Sequence, residues 1–104
     1  MLELRPNCEL CDRDLPPGSP DAMICTYECT YCAGCVETVL QDVCPKCGGN
    51  FVSRPIRPGK SWRQDRQLGL AHHPAGSKRV HTPFSLENIR EFVARVRDVP
   101  PQDR

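Results

Sequence analysis

Apolar positions follow three different regimes along the chain. From Asp21 to Tyr31 the residues Ile24, Thr26, Tyr27, Thr30 and Tyr31 favour extended backbone and predict a short hairpin. Val36, Val39 and Leu40 then fall on one side of a short helix over 36–41. Residues 53–83 show no apolar period at all. From Ser85 the pattern turns helical again, with Leu86, Ile89, Phe92, Val93 and Val96 forming a stripe at helical spacing. Ser85 can cap that helix, Glu87 lies in its first turn, Arg95 and Arg97 lie near its end, and Pro100 and Pro101 stop it, so it is expected over 85–99. Three segments result: a module over 1–52, a linker containing Pro and Gly over 53–83, and a helix with its tail over 84–104.

Composition changes this picture by making the core too small. The chain has 104 residues, 11 Pro, 7 Gly and only 6% aromatics, and so little oily material rarely offsets the conformational entropy of a small domain unless disulfides or metals assist. All eight cysteines lie between residues 8 and 47, spaced C-x2-C-x13-C-x3-C-x2-C-x2-C-x8-C-x2-C. Eight sulfurs at these spacings make two complete four-sulfur sites. Residues 1–6 lack the basic and apolar regions of a signal peptide, and no run of apolar residues is long enough to span a bilayer. The expectation is therefore a cytoplasmic protein with no membrane partner, in which paired thiols bind metal rather than form disulfides.

Zinc suits four thiolates in a closed tetrahedron, and two Zn2+ ions are expected. Iron–sulfur clusters use the same donors, and Cys25, Cys29 and Cys32 match the spacing of enzymes that cleave S-adenosylmethionine, but the chain is too short for the barrel those enzymes need. Straight strand would separate Cys25 from Cys29 by roughly 13 Å. Two sulfurs on one zinc lie under about 4 Å apart, so if these two share an ion the chain reverses around Thr26-Tyr27-Glu28. Spacing alone leaves two pairings. The sequential one joins Cys8, Cys11, Cys25 and Cys29, then Cys32, Cys35, Cys44 and Cys47; the crossed one joins Cys8, Cys11, Cys32 and Cys35, then Cys25, Cys29, Cys44 and Cys47.

The ligand series resembles the RING finger in its all-cysteine form, with Tyr31 just before the fifth ligand, the apolar helix Val36 to Leu40, and Pro45 inside the last knuckle. The resemblance covers 8–47. It implies a small metal-stabilised α+β fold, a RING-like, treble-clef binuclear zinc module with crossed pairing. By the same resemblance Leu10, Val39 or Leu40, and Pro45 would form a partner-binding surface. Active ubiquitin ligases of that family usually carry a cation just after the last ligand, where this chain has Gly48, so a ligase-like adaptor is disfavoured. A closer resemblance runs from residue 1 to 58. The stretches LRPNCE, CDRDLPP, CPKCGG and RPIRP resemble those of short bacterial proteins grouped as domain of unknown function 1272, which implies a bacterial zinc protein with no assigned activity.

Charge adds one further candidate. The net charge is +1, but residues 1–52 carry three Lys/Arg against eight Asp/Glu, whereas 53–83 carry seven against one. Arg54, Arg57, Lys60, Arg63 and Arg66 recur every third residue with Pro55 and Pro58 between them, which in polyproline II backbone would line the first of these charges along one face. With Trp62 beside them they form a candidate nucleic-acid strap; the plainer alternative is a solvated linker or one docked on the acidic module. His72, His73 and His81 are surplus to two sites already complete in sulfur. Closed four-thiolate sites offer no open position to activate water, and no nucleophile has an adjacent base. The function expected is thus non-catalytic: a structural zinc module that presents a surface to an unidentified protein partner, with a homodimer through the C-terminal helix, and nucleic-acid binding as the alternative.

Overall fold

A computed structural model describes residues 1–104. The reversal after Cys25 is present: β1 (Ala22–Ile24) and β2 (Thr30–Cys32) pair antiparallel, with Ala22 opposite Cys32, Met23 opposite Tyr31 and Ile24 opposite Thr30. Glu28 takes a left-handed φ of 66° at the turn, and the Glu28 N–H donates to the Cys25 carbonyl at 3.0 Å. A two-residue β3 (Val52–Ser53) adds to the other side of β1, giving the order β2-β1-β3. All three residues of β2 are buried, although it is an edge strand of this sheet.

Helix α1 (Ala33–Cys35) follows β2 directly and widens into a π-helical stretch over Val36–Leu40. This puts Val36 and Leu40 inside, with Val39 half-buried. Gln41 and Asp42, both at positive φ, end the coil. Near the C-terminus α2 (Leu86–Val96) is capped by Ser85, whose Oγ accepts the Asn88 N–H at 3.1 Å. Its apolar stripe is largely spent within the chain: Ile89 and Val93 are fully buried, Phe92 and Val96 partly, and the helix packs on the Val36–Leu40 stretch. Leu86 alone of the stripe stays exposed.

These elements meet in one core. Tyr31 and Phe51 pack edge to face at 5.5 Å between ring centroids, beside Leu15, Leu40, Val43, Ile89 and Val93. Five of its fourteen fully buried members are cysteines, so a large part of this interior exists only if those sulfurs stay together.

The segment over 53–83 is not a free linker. Arg57 donates to the carbonyls of Leu2 and His73, each at 2.7 Å. The Gly76 N–H reaches the Leu4 carbonyl at 3.0 Å, and the Thr82 N–H reaches that of Glu9 at 2.8 Å. Arg79 bridges Asp12 and Asp14. A basic segment has folded back along an acidic one, using side-chain contacts that leave no periodic trace in sequence.

Candidate metal centre

Two knuckles of the same backbone design supply the outer ends of the site. In the first, Cys8 N–H donates to Arg13 O and Asp12 N–H to Cys8 O; in the second, Cys44 N–H donates to Gly49 O and Gly48 N–H to Cys44 O. The fourth residue after the leading cysteine is left-handed in both, Asp12 at φ 64° and Gly48 at φ 80°. Glycine meets this requirement without strain in the second knuckle. Asp12 meets it in the first, where its carboxylate accepts from Asn7 Nδ2 at 3.0 Å and from Arg79 Nε at 3.0 Å.

The first knuckle faces the β2–α1 junction. There the Sγ atoms of Cys8, Cys11, Cys32 and Cys35 all lie within 4.8 Å of one another, and Cys11 Sγ stands 3.7 Å from Cys32 Sγ. Four sulfurs at about 2.3 Å from a tetrahedral zinc are about 3.8 Å apart, whereas a disulfide requires about 2.05 Å, and all eight cysteines are free thiols. The donor set and its spacing thus fit a thiophilic tetrahedral ion. The second knuckle faces the β1 end of the hairpin, where Cys25, Cys44 and Cys47 likewise lie within 4.8 Å of one another. Cys29 stands outside that mutual set, although its carbonyl accepts the Cys25 N–H at 3.3 Å, which keeps it beside the cluster. The sulfurs of separate knuckles therefore meet crosswise: the first and second cysteines with the fifth and sixth, the third with the seventh and eighth.

Backbone amides point at the sulfurs in both clusters. Cys35 N–H donates to Cys32 Sγ at 3.4 Å, Tyr27 N–H to Cys25 Sγ at 3.4 Å and Gly49 N–H to Cys47 Sγ at 3.3 Å. Such bonds favour thiolate over thiol. Cys25 is held down to about 2, chiefly by the Cys29 thiol and then by that of Cys44. Cys29 is correspondingly pushed up to about 11 by Cys25, and Cys44 is raised by Cys25 and Cys29. In the first cluster burial drives Cys32 up, but the amide and thiol of Cys35 and the thiols of Cys11 and Cys8 outweigh it and leave Cys32 low. Burial, followed by Cys32, raises Cys35, and burial raises Cys8. In each cluster the thiols act on one another through hydrogen bonds and charge.

Polar neighbours that spacing alone does not reveal fix the first cluster. Asn7 is fully buried and fully bonded: Nδ2 donates to Cys8 O, Asp12 Oδ1 and Val80 O, while Oδ1 accepts the Val80 N–H. Glu9 is buried too; its carboxylate accepts from Arg5 Nη1 at 2.8 Å and from the Thr30 N–H, which ties the knuckle to β2. The only sequence signal for either residue was its place in the LRPNCE stretch.

Several expected surface residues are not at the surface. Leu40 is 0% exposed and Pro45 is buried, because the Val36–Leu40 coil and the second knuckle both turn inward beneath α2; neither is free to touch a partner. Leu10 and Val39 are half-buried against the core. Arg54, expected on a nucleic-acid strap, is 4% exposed. Its guanidinium donates to the carbonyls of Arg5 (2.8 Å), Leu15 and Pro16 (both 3.2 Å), and burial lowers its pKa. Arg57 is likewise committed to carbonyls within the chain. Lys60, Trp62, Arg63 and Arg66 remain exposed.

The family described as "Protein of unknown function (DUF1272)" matches residues 1–57. The chain belongs to this family. The match covers both knuckles, the hairpin, β3 and the buried Arg54, and ends where the exposed part of the basic segment begins. Among curated proteins the chain is similar to "Uncharacterized protein R02474" of Rhizobium meliloti (strain 1021), with 58% identity over 83 residues, 80% of this chain and 89% of the relative. No solved structure matches it. No helix is long and apolar enough to cross a membrane.

Proposed function

We propose that this family member is a non-catalytic binuclear zinc module, RING-like in its crossed ligand pairing, that works by presenting a surface to a protein partner. The observation that carries the reading is the convergence of cysteines from separate parts of the chain on two sulfur clusters, the first at tetrahedral spacing. Cys8, Cys11, Cys32 and Cys35 hold one ion. Cys25, Cys44 and Cys47 hold the other, with the buried Cys29, whose carbonyl accepts the Cys25 N–H at 3.3 Å, as fourth ligand. Four thiolates close each site, so the metal supplies folding energy and leaves no coordination position for a substrate.

With Leu40 and Pro45 buried, the partner surface shifts to the hairpin turn beside the second knuckle. There Tyr27, 69% exposed, lines with Lys46 and Cys47 an open concavity of about 280 Å3. An amphipathic ring next to a cation is the composition expected of a protein-binding hot spot. Native mass spectrometry should find two Zn2+ per chain. A pull-down from bacterial cytosol should recover a partner with the zinc-loaded protein and lose it after chelation or with Tyr27→Ala, which leaves metal content intact. A chain purified under mild reducing conditions without metal, or a partner indifferent to Tyr27, would reject the reading.

A further inference from the structure

Residues 58–71 form a loop that closes on itself. Leu70 N–H donates to Pro58 O at 2.8 Å and Ala71 N–H to Gly59 O at 3.3 Å. Inside, the Ser61 hydroxyl gathers three groups: its one proton is shared between the carbonyls of Arg66 (2.7 Å) and Arg63 (3.0 Å), and its oxygen accepts the Leu68 N–H (3.2 Å). Gly69 permits the closure. It sits at φ 88°, and a Cβ there would lie 2.8 Å from the Lys60 backbone and 2.9 Å from Pro58 O. Every hydrogen bond made by residues 59–71 stays within 58–73, so this is a preformed projection rather than a part of the core.

What the projection carries is specific. Trp62 is 76% exposed, a condition with no packing explanation. Lys60 Nζ stands 4.3 Å from the centroid of its ring, and Arg63 and Arg66 flank it in the open. Asp65 offsets one of these charges, pairing with Arg66 only at 4.0 Å. Of the other cations of the basic segment, Arg54, Arg57 and Arg79 are already engaged by carbonyls and carboxylates, and Lys78 is exposed but lies outside the loop.

We propose that the 58–71 loop binds single-stranded nucleic acid, with a base stacked on Trp62 and backbone phosphates neutralised by Lys60, Arg63 and Arg66. Stacking is indifferent to base identity, so the preference is for unpaired strands rather than for a sequence. A lipid surface fits less well, since burying the Trp62 ring among acyl chains would carry the Lys60 ammonium with it.

Trp62 is the only tryptophan in the chain, so its emission reports directly on the site. The experiment titrates the zinc-loaded, full-length protein with a twelve-residue oligothymidylate, its duplex with oligoadenylate, and vesicles of phosphatidylserine and phosphatidylcholine. The single strand should quench Trp62, and three phosphate contacts should cost roughly 20-fold in affinity between 50 and 200 mM salt. Measured by anisotropy of a labelled oligonucleotide, Trp62→Ala should weaken binding on the order of tenfold or more, and a Lys60→Gln, Arg63→Gln, Arg66→Gln triple variant should abolish it. Gly69→Ala should weaken binding several-fold while the metal content is unchanged, because it opens the loop. Equal binding of duplex, binding that survives Trp62→Ala, response to vesicles alone, or no response to any probe would each overturn the proposal.

Discussion

The two sulfur clusters share a knuckle design but live in different surroundings. The first reaches the rim: Cys8 and Cys32 are buried in the core, but Cys11 is exposed and Cys35 half-buried, and its supports are the polar groups of Asn7, Glu9 and the returning strap at Val80 and Thr82. The second is a core site, with Cys25, Cys29 and Cys44 buried beside Tyr31, Phe51, Leu40 and Val43. A metal held by the first would organise a hydrogen-bonded surface; one held by the second would substitute for hydrocarbon the sequence does not contain. Metal in the two clusters would thus solve two problems, and the two sites should fail differently.

Metal removal breaks the comparison most severely. Structural zinc sites contribute about 10–16 kcal/mol each in peptide hosts, so exhaustive chelation should unfold the whole cysteine region, seen as loss of near-ultraviolet dichroism and dispersed amide resonances. Graded chelation should empty the rim site first. Cys11→Ser should retain one ion and the Tyr31–Phe51 packing, whereas Cys44→Ser should lose both ion and packing, as measured by metal analysis and aromatic dichroism. Equal behaviour of the two variants would erase the distinction drawn between the sites.

Smaller changes sharpen it. Ile89→Ala removes a fully buried contact of α2 with the core and should cost about 2–5 kcal/mol in denaturant unfolding of the zinc-loaded protein. Arg54→Met leaves the carbonyls of Arg5, Leu15 and Pro16 without their donor and should cost about 1.5–3 kcal/mol; a surface cation would cost nothing measurable. Gly48→Ala forces a left-handed alanine into the second knuckle and should cost about 1–2 kcal/mol. Asp12→Gly at the equivalent place of the first should be close to neutral, since it relieves the same strain but forfeits the contacts with Asn7 and Arg79.

What could be read from the residues follows the same divide. Spacing exposed the knuckles, β-branched and aromatic residues marked the hairpin, and Ser85 with the Leu86–Val96 stripe located α2, because each is a local or periodic signal. The strap was opaque. Its cations look alike in sequence, yet Arg54 and Arg57 are anchored to backbone carbonyls up to 55 residues away while Lys60 and Arg63 face water. A carbonyl acceptor leaves no mark in the residue that offers it. Leu40 and Pro45 were placed on a partner surface for a related reason: nothing before residue 53 announces that α2 will cover the Val36–Leu40 coil.

The Asn7 amide joins positions 73 residues apart, and this orders the events of assembly. A closure of that length must wait until both ends are already positioned, since loop entropy grows with separation and a single amide cannot offset it. The hairpin and knuckles precede residue 80 in the chain, so they can form on a nascent chain before the strap and α2 close over them, and the surface beneath stays open until then.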